Sequence, residues 1–125
     1  MGKDKRPVNL DLGSLKFPPM AIASILHRVS GLVMFILLPV MLCYLSMTLT
    51  SETSFNDIAA YFENPWRKLL LWAFCSAWVY HVMAGIRHIL MDIGLGESLE
   101  AGRRSAVFVI FLAIVLIIFL GIRIW

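Results

Sequence analysis

Three long segments without charge constrain the fold of this chain more than any other feature. Asp, Glu, Lys and Arg are absent from Val29 to Ser51, from Leu69 to Ile86 and from Ser105 to Ile122, giving runs of 23, 18 and 18 residues. A helix of about 20 apolar residues, rising about 1.5 Å per residue, crosses the roughly 30 Å hydrocarbon core of a bilayer. In a chain of 125 residues, too few remain to cover three such helices in water. We therefore predict an all-α membrane protein with three transmembrane helices.

Turn and capping residues divide the chain around these segments. Pro18 and Pro19 are typical of the start of a first helix, and Asn64 followed by Pro65 is typical of the start of a second. Apolar residues spaced i, i+3, i+4 and i+7 between the first two spans predict a short interfacial helix: Phe55, Ile58, Ala59 and Phe62. We expect a single membrane-anchor domain over residues 1–125, comprising an N-terminal segment at 1–20 and spans at about 22–50, 66–91 and 104–125.

The basic residues lie at the ends of the spans, so they indicate topology and not a nucleic-acid surface. Two precede the second span and two precede the third, so the excess before the first span decides the orientation: Lys3, Lys5, Arg6 and Lys16. The positive-inside rule then predicts a cytoplasmic N-terminus and, after three crossings, a periplasmic C-terminus. The first apolar segment lacks a small-residue cleavage site, so we expect it to remain in the mature protein as a span.

The first span carries a polar patch near its beginning, within the sequence SILHRVSG. Ser24, His27, Arg28 and Gly31 occupy positions i, i+3, i+4 and i+7, which places the three polar side chains toward one side of a helix. A permanently charged guanidinium beside a hydroxyl and an imidazole suits recognition of an amphiphile with a polar head. The alternative is that Arg28 merely extends its charge to the membrane surface.

The second span contains His81 about a dozen residues from its start, where neither water nor the membrane surface can readily satisfy an imidazole. Ala77, Ala84 and Gly85 lie at i−4, i+3 and i+4 from it, which predicts a nearly bare surface around the ring. Haem fits such a site because imidazole is its commonest protein ligand and its flat face needs small neighbours. Close helix packing, with His81 hydrogen-bonded across the contact, is the alternative.

A second histidine lies on the same predicted face. His88 follows His81 by seven residues, which is about 10.5 Å along the helix axis. The two nitrogens therefore cannot be the two axial ligands of one iron. His88, with Arg87 beside it, is better placed to meet the haem propionates. His27 can serve as the second ligand only by leaving the patch, so we expect that ligand to come from another chain.

Four sequences, in this order and spacing, resemble the cytochrome b subunits of bacterial succinate dehydrogenase, respiratory complex II: RPVNLDL, AIASILHRVSG, YHVMAGIRHILMD and EAGRRS. The resemblance covers roughly residues 6–125, although the third span matches in hydropathy more than in motif. These family members are three-helix membrane anchors. They pair with a second small anchor and hold haem b between the two.

The resemblance assigns roles to individual residues. It makes His81 the axial iron ligand from this chain and implies that the partner anchor supplies the other. It places Ser24, Ile25 and Arg28 at the ubiquinone-binding site. It also places three side chains near the haem propionates: His27, Arg28 and His88.

The resemblance further implies a flavoprotein subunit and an iron–sulfur subunit docked on the cytoplasmic face of a bacterial inner membrane. No catalytic residue is expected on this chain, since the sequence has neither a flavin-binding glycine motif nor a cysteine cluster. A proton-coupled transporter would need a carboxylate within its spans, and the spans contain none. Two alternatives stay open, namely an anchor of quinol:fumarate reductase and a structural anchor without haem.

Overall fold

Four α-helices form all of the regular structure in residues 17–125, which are the residues that the computed structural model describes. They are α1 (Pro19–Thr48), α2 (Glu52–Tyr61), α3 (Pro65–Asp92) and α4 (Leu99–Ile124). Helices α1, α3 and α4 are long and apolar enough to cross a membrane, which confirms the predicted all-helical fold with three spans. The N-terminal segment predicted at 1–20 falls largely outside the described residues, together with its four basic residues and the motif at 6–12.

Local capping groups set the starts of the helices. Pro19 occupies the first turn of α1, where its missing N–H leaves no helical hydrogen bond unmade. Ser51 Oγ accepts from the Ser54 backbone N–H at 3.0 Å and begins α2, the short helix predicted from its apolar spacing. Asn64 Oδ1 accepts from the Trp66 N–H at 3.0 Å and begins α3, as predicted.

Helix α4 begins at Leu99, earlier than the predicted start at about residue 104. Ser98 caps it, because its Oγ accepts from the Ala101 N–H at 3.2 Å. The turn from α3 is made by Gly94 and Gly96, whose φ angles of 86° and 77° lie in the left-handed region that favours glycine. The polar residues before position 104, which suggested a longer loop after α3, therefore form the exposed beginning of α4.

Small residues bring α3 and α4 into close contact. Ala84 on α3 packs with Val109 and Ala113 on α4, and both alanines are almost completely buried. Ala106, seven positions before Ala113, is a second buried alanine on α4. Without a hydrophobic driving force between helices in lipid, such close packing is a main source of helix association. Helix α4 thus has the packing role that its uniformly apolar sequence predicts.

Two side chains of α3 donate hydrogen bonds to backbone carbonyls of its neighbours. Tyr80 Oη donates to the Ala23 carbonyl of α1 at 3.0 Å, and Trp72 Nε1 donates to the Ile117 carbonyl of α4 at 3.0 Å. Both donors would lack partners in hydrocarbon, so the contacts hold α3 against α1 and α4 in one orientation. Helix α3 is therefore joined to both neighbours by polar contacts as well as by packing.

Candidate functional site

Two adjacent faces of α3 carry different chemistry. One face is buried against the rest of the bundle and consists of Tyr80, Ala84 and Arg87, at positions i, i+4 and i+7. The other lies one residue further along the chain, begins at His81 and meets α1. This arrangement decides which polar groups near the middle and end of α3 can reach a ligand at the α1 contact.

All three histidines of the chain lie together between α1 and α3 and form a histidine cluster. The rings of His27 and His81 stack with centroids 4.2 Å apart and an interplanar angle of 26°. The His88 ring also contacts His27, with the two ring centroids 4.9 Å apart. Axial ligands of one iron direct nitrogens toward each other across the porphyrin, which stacked rings do not. In this arrangement His27 and His81 are therefore not placed to bind one haem iron together.

The His81 ring is held by its Nδ1 atom. Nδ1 lies 3.2 Å from the His27 carbonyl oxygen and 3.1 Å from Ser30 Oγ. A carbonyl oxygen can only accept, so the hydrogen bond assigns the proton to Nδ1 and leaves the lone pair on Nε2. Nε2 makes no hydrogen bond with the described residues, and it is not fully buried.

Gly31 and Ser30 complete the contact with His81, and sequence reasoning singled out only the glycine. A methyl group at Gly31 would come within 3.1 Å of His81 Cε1, so the ring lies directly on the α1 backbone. Ser30 is buried, and its Oγ donates to the His27 carbonyl at 2.8 Å. The signal that could have identified Ser30 is its spacing of three residues from His27 on the patch side of α1.

The predicted bare surface around His81 is only partly correct. Ala84 is buried in the contact with α4, and Ala77 lines a cavity of about 360 Å³ between α1, α3 and α4. Both belong to the Tyr80 face because α3 places residues 77, 80 and 84 on one stripe. Gly85 does face the histidines, since a methyl group there would lie 3.7 Å from His27 Nε2.

Two nitrogens of the histidine cluster lack partners. His27 Nε2 and His88 Nδ1 are buried and make no hydrogen bond within the described chain. Buried polar atoms are nearly always paired in native proteins, so an unpaired pair in one place indicates a missing partner. A carboxylate from a group bound beside the cluster would satisfy either imidazole.

The predicted quinone residues are divided between a cavity and the surface. Ser24 is half-buried and lines a cavity of about 210 Å³ with His88, Arg87 and other residues at this end of α1 and α3. Ile25 and Arg28 are exposed on α1, and Arg28 has neither a hydrogen bond nor an ion pair among residues 17–125. Its guanidinium is thus available to a ligand or a partner subunit.

Arg87 and His88 line the same small cavity, but the guanidinium of Arg87 is directed to α4 and not to the histidine cluster. Arg87 lies on the buried Tyr80 face and is only 7% exposed. Its Nε donates to Ser105 Oγ at 3.0 Å, and one terminal nitrogen donates to the Gly102 carbonyl at 3.0 Å. The one-residue offset from His88 rotates Arg87 by about 100° around the helix, which accounts for the difference.

We expect Arg87→Met to destabilise the contact between α3 and α4 by roughly 2–3 kcal/mol, because hydrogen bonds from a charged donor are lost in a buried place. The measurement is thermal unfolding of the detergent-solubilised complex. Arg104→Met is the matched control, since Arg104 pairs at 2.6 Å with Glu100 on an exposed surface where ion pairs contribute little. Equal melting temperatures for the two variants would contradict a stabilising role for Arg87.

Haem fits the residues around His81. The free Nε2 can supply one iron ligand, and Gly31 lets the His81 ring lie directly against the α1 backbone. The unpaired nitrogens of His27 and His88 can contact acidic groups. No three His, Cys, Asp or Glu side chains among the described residues are arranged to hold a metal ion by themselves. Haem iron does not require such a group, because the porphyrin supplies its other in-plane ligands.

Comparison with known proteins shows the family to which this chain is similar. Residues 2–120 match the family model described as succinate dehydrogenase/fumarate reductase transmembrane subunit. A succinate dehydrogenase cytochrome b556 subunit from Coxiella burnetii is 45% identical over 97% of this chain and 98% of its own length. Proteins of the same name from Rickettsia typhi and Paracoccus denitrificans are 33% and 27% identical, over 78% and 85% of this chain and 76% and 82% of their own lengths.

Proposed function

This chain belongs to the family of succinate dehydrogenase/fumarate reductase transmembrane subunits, and from that premise we propose that it is the haem-binding anchor of a succinate:ubiquinone oxidoreductase. In this role it holds haem b at the contact with a second anchor and forms part of the ubiquinone-reduction site. The observation that carries the proposal is His81, whose Nδ1 is fixed by α1 while Nε2 is free. An imidazole in mid-membrane with one nitrogen held and one available is the arrangement that an iron ligand needs.

His81 would bind the iron, and the second axial ligand would come from the partner anchor. His27 stacks against the His81 ring, and the His88 ring contacts His27. Neither is therefore placed to supply the second iron ligand. Haem, when bound there, supplies a one-electron carrier within the membrane. His27 and His88 would donate to the propionates from their unpaired nitrogens, and Arg28 would add a positive charge.

Ser24, Ile25 and Arg28 would bind the ubiquinone head. Reduction of a quinone adds two electrons and two protons, and its carbonyl oxygens gain negative charge before they are protonated. The Arg28 guanidinium and the Ser24 hydroxyl can donate to such an oxygen, and Ile25 offers an apolar surface to the ring. Support comes from Arg28, which is exposed and has no partner within residues 17–125, and from the cavity beside Ser24.

The remaining parts of the complex follow from what this chain lacks. Succinate oxidation would take place on a flavoprotein, and an iron–sulfur subunit would pass the electrons to the anchors. We place the N-terminus in the cytoplasm and the C-terminus in the periplasm of a bacterial inner membrane, since the N-terminal basic residues favour that orientation. The site of Ser24 and Arg28, near the beginning of α1, then lies in the leaflet where the soluble subunits dock.

The visible spectrum of the purified complex tests this proposal. We expect the dithionite-reduced complex to show a low-spin haem b spectrum with about one haem per copy of this chain, because His81 and one partner histidine fill both axial positions. Both anchors are quantified in the same sample. A complex with both anchors at full occupancy and no haem would refute the proposal and favour a structural anchor.

Quinol:fumarate reductase is the second candidate, because the matching family description covers both enzymes. Side-chain positions around the quinone site do not set the direction of electron flow. The ratio of succinate oxidation by ubiquinone to fumarate reduction by a quinol, measured on the same preparation, separates the two. We expect the first activity to dominate.

A further inference from the structure

A buried serine next to the candidate iron ligand has no role in the function proposed above. We propose that Ser30 is a positioning residue for haem: it holds the His81 ring through Nδ1 and thereby lowers the reduction potential of the iron. This inference rests on the proposed function, since it concerns the ligand that His81 would supply. It adds a residue to the site that neither binds the iron nor contacts the quinone.

Three atoms form a closed hydrogen-bonded triangle: Ser30 Oγ, the His27 carbonyl oxygen and His81 Nδ1. Ser30 Oγ donates to the carbonyl at 2.8 Å and lies 3.1 Å from Nδ1, which lies 3.2 Å from the same carbonyl. With its own proton directed to the carbonyl, the hydroxyl can only accept from Nδ1–H. The carbonyl thus fixes the tautomer of the imidazole, and the serine, as a second acceptor, helps to fix its orientation.

The His27 carbonyl alone would hold the His81 Nδ1–H less well than the carbonyl and the Ser30 hydroxyl together. In an α-helix the His27 carbonyl already accepts the backbone N–H four residues later, that of Gly31. It also accepts the Ser30 hydroxyl, so His81 is its third donor. The hydroxyl is therefore the acceptor with more unused capacity, and Ser30 is only 6% exposed.

A hydrogen bond donated by one imidazole nitrogen makes the other a stronger electron donor. Partners of this kind fix the ring of a metal-binding histidine and raise its basicity. A more basic Nε2 stabilises ferric over ferrous iron, so the bond lowers the potential. Removing one of the two acceptors is expected to shift the potential upward.

The test is a redox titration of haem in the purified complex, followed by its visible spectrum. We expect Ser30→Ala to shift the midpoint potential in the positive direction and Ser30→Thr, which keeps a hydroxyl, to restore it. Ser76→Ala is the matched control, because Ser76 is a helical serine on α3 whose Oγ is buried without a hydrogen bond among the described residues. It should leave the potential at the wild-type value.

An unchanged potential in Ser30→Ala at wild-type haem content would overturn the inference, as would an equal shift in Ser76→Ala. If Ser30→Ala loses haem, retention by Ser30→Thr supports the inference, because threonine keeps the hydroxyl although its extra methyl group changes the packing. Loss of haem from both variants overturns it. Absence of haem from the wild-type complex would instead refute the proposed function, so the two failures are distinguishable.

Discussion

Replacing His81 with alanine is expected to remove haem from the complex. Loss of a metal ligand's hydrogen-bonding partner alone typically costs about 10–100-fold in metal affinity, so loss of the ligand itself should lower haem content by more than roughly tenfold. The change leaves a small hydrophobic side chain in a half-buried position, and the helix contacts made by Tyr80 and Ala84 remain. The measurement is haem per anchor, from the reduced-minus-oxidised spectrum and quantified subunits.

His88→Ala is the contrasting variant for this experiment. It removes another imidazole of the histidine cluster but leaves His81, whose Nδ1 is held by α1 and whose Nε2 is free. The low-spin spectrum should therefore persist. If His81→Ala does not assemble, His81→Met provides a thioether ligand and should raise the haem potential, as histidine–methionine ligation does in other cytochromes. Stoichiometric low-spin haem in His81→Ala would show that the iron is held elsewhere.

The three spans could be predicted from sequence because their signal is strong and local. Long runs without charge leave no soluble alternative, and capping residues such as Asn64 mark helix ends directly. The start of α4 was less predictable. Glu100, Arg103 and Arg104 are polar like a loop, but they lie exposed on the first turns of a helix that Ser98 caps. Charge alone does not distinguish a loop from a solvated helix end.

The site was predictable only as far as each helix determines it alone. Helical spacing correctly placed His81 and His88 on one face of α3, and it singled out His27 as part of the polar patch on α1. It did not reveal which neighbour each face of α3 would meet, so it could not show that Arg87 donates its hydrogen bonds to α4. The role of Ser30 depends on the distance between two helices, which no pattern within one helix contains.

The contact between α1 and α3 also explains how a membrane protein can hold the His81 imidazole in this place. The His81 Nδ1–H is satisfied by α1, and a glycine allows the ring to approach the backbone. Both neighbours, the His27 carbonyl and Gly31, lie in the sequence HRVSG, which also contains Arg28, one of the residues proposed to bind the quinone head. The proposed haem and quinone sites thus overlap along α1, so a substitution at Arg28 has to be assessed for both.

Arg28→Ala is expected to lower succinate:ubiquinone reductase activity by about 100-fold or more, the typical effect of losing one donor to a developing negative charge. Succinate oxidation by a soluble dye should keep its wild-type rate, because the dye accepts electrons without using the quinone site. Arg28→Lys should recover only part of the loss, since an ammonium group keeps the charge but not the planar pair of donors. The two activities are measured on the same membranes, with haem content determined alongside.

Arg103→Ala is the matched control for Arg28→Ala. Arg103 is also an exposed arginine near the end of a membrane-spanning helix, but it lies on α4, outside the polar patch of α1. If Arg28 merely extends its charge to the membrane surface, its removal should resemble that of Arg103, with both activities retained. Equal loss of the dye and quinone activities would indicate failed assembly. Selective loss of quinone reduction at normal haem content is the one pattern that a charge contacting the quinone head produces, because only the final acceptor then loses its partner.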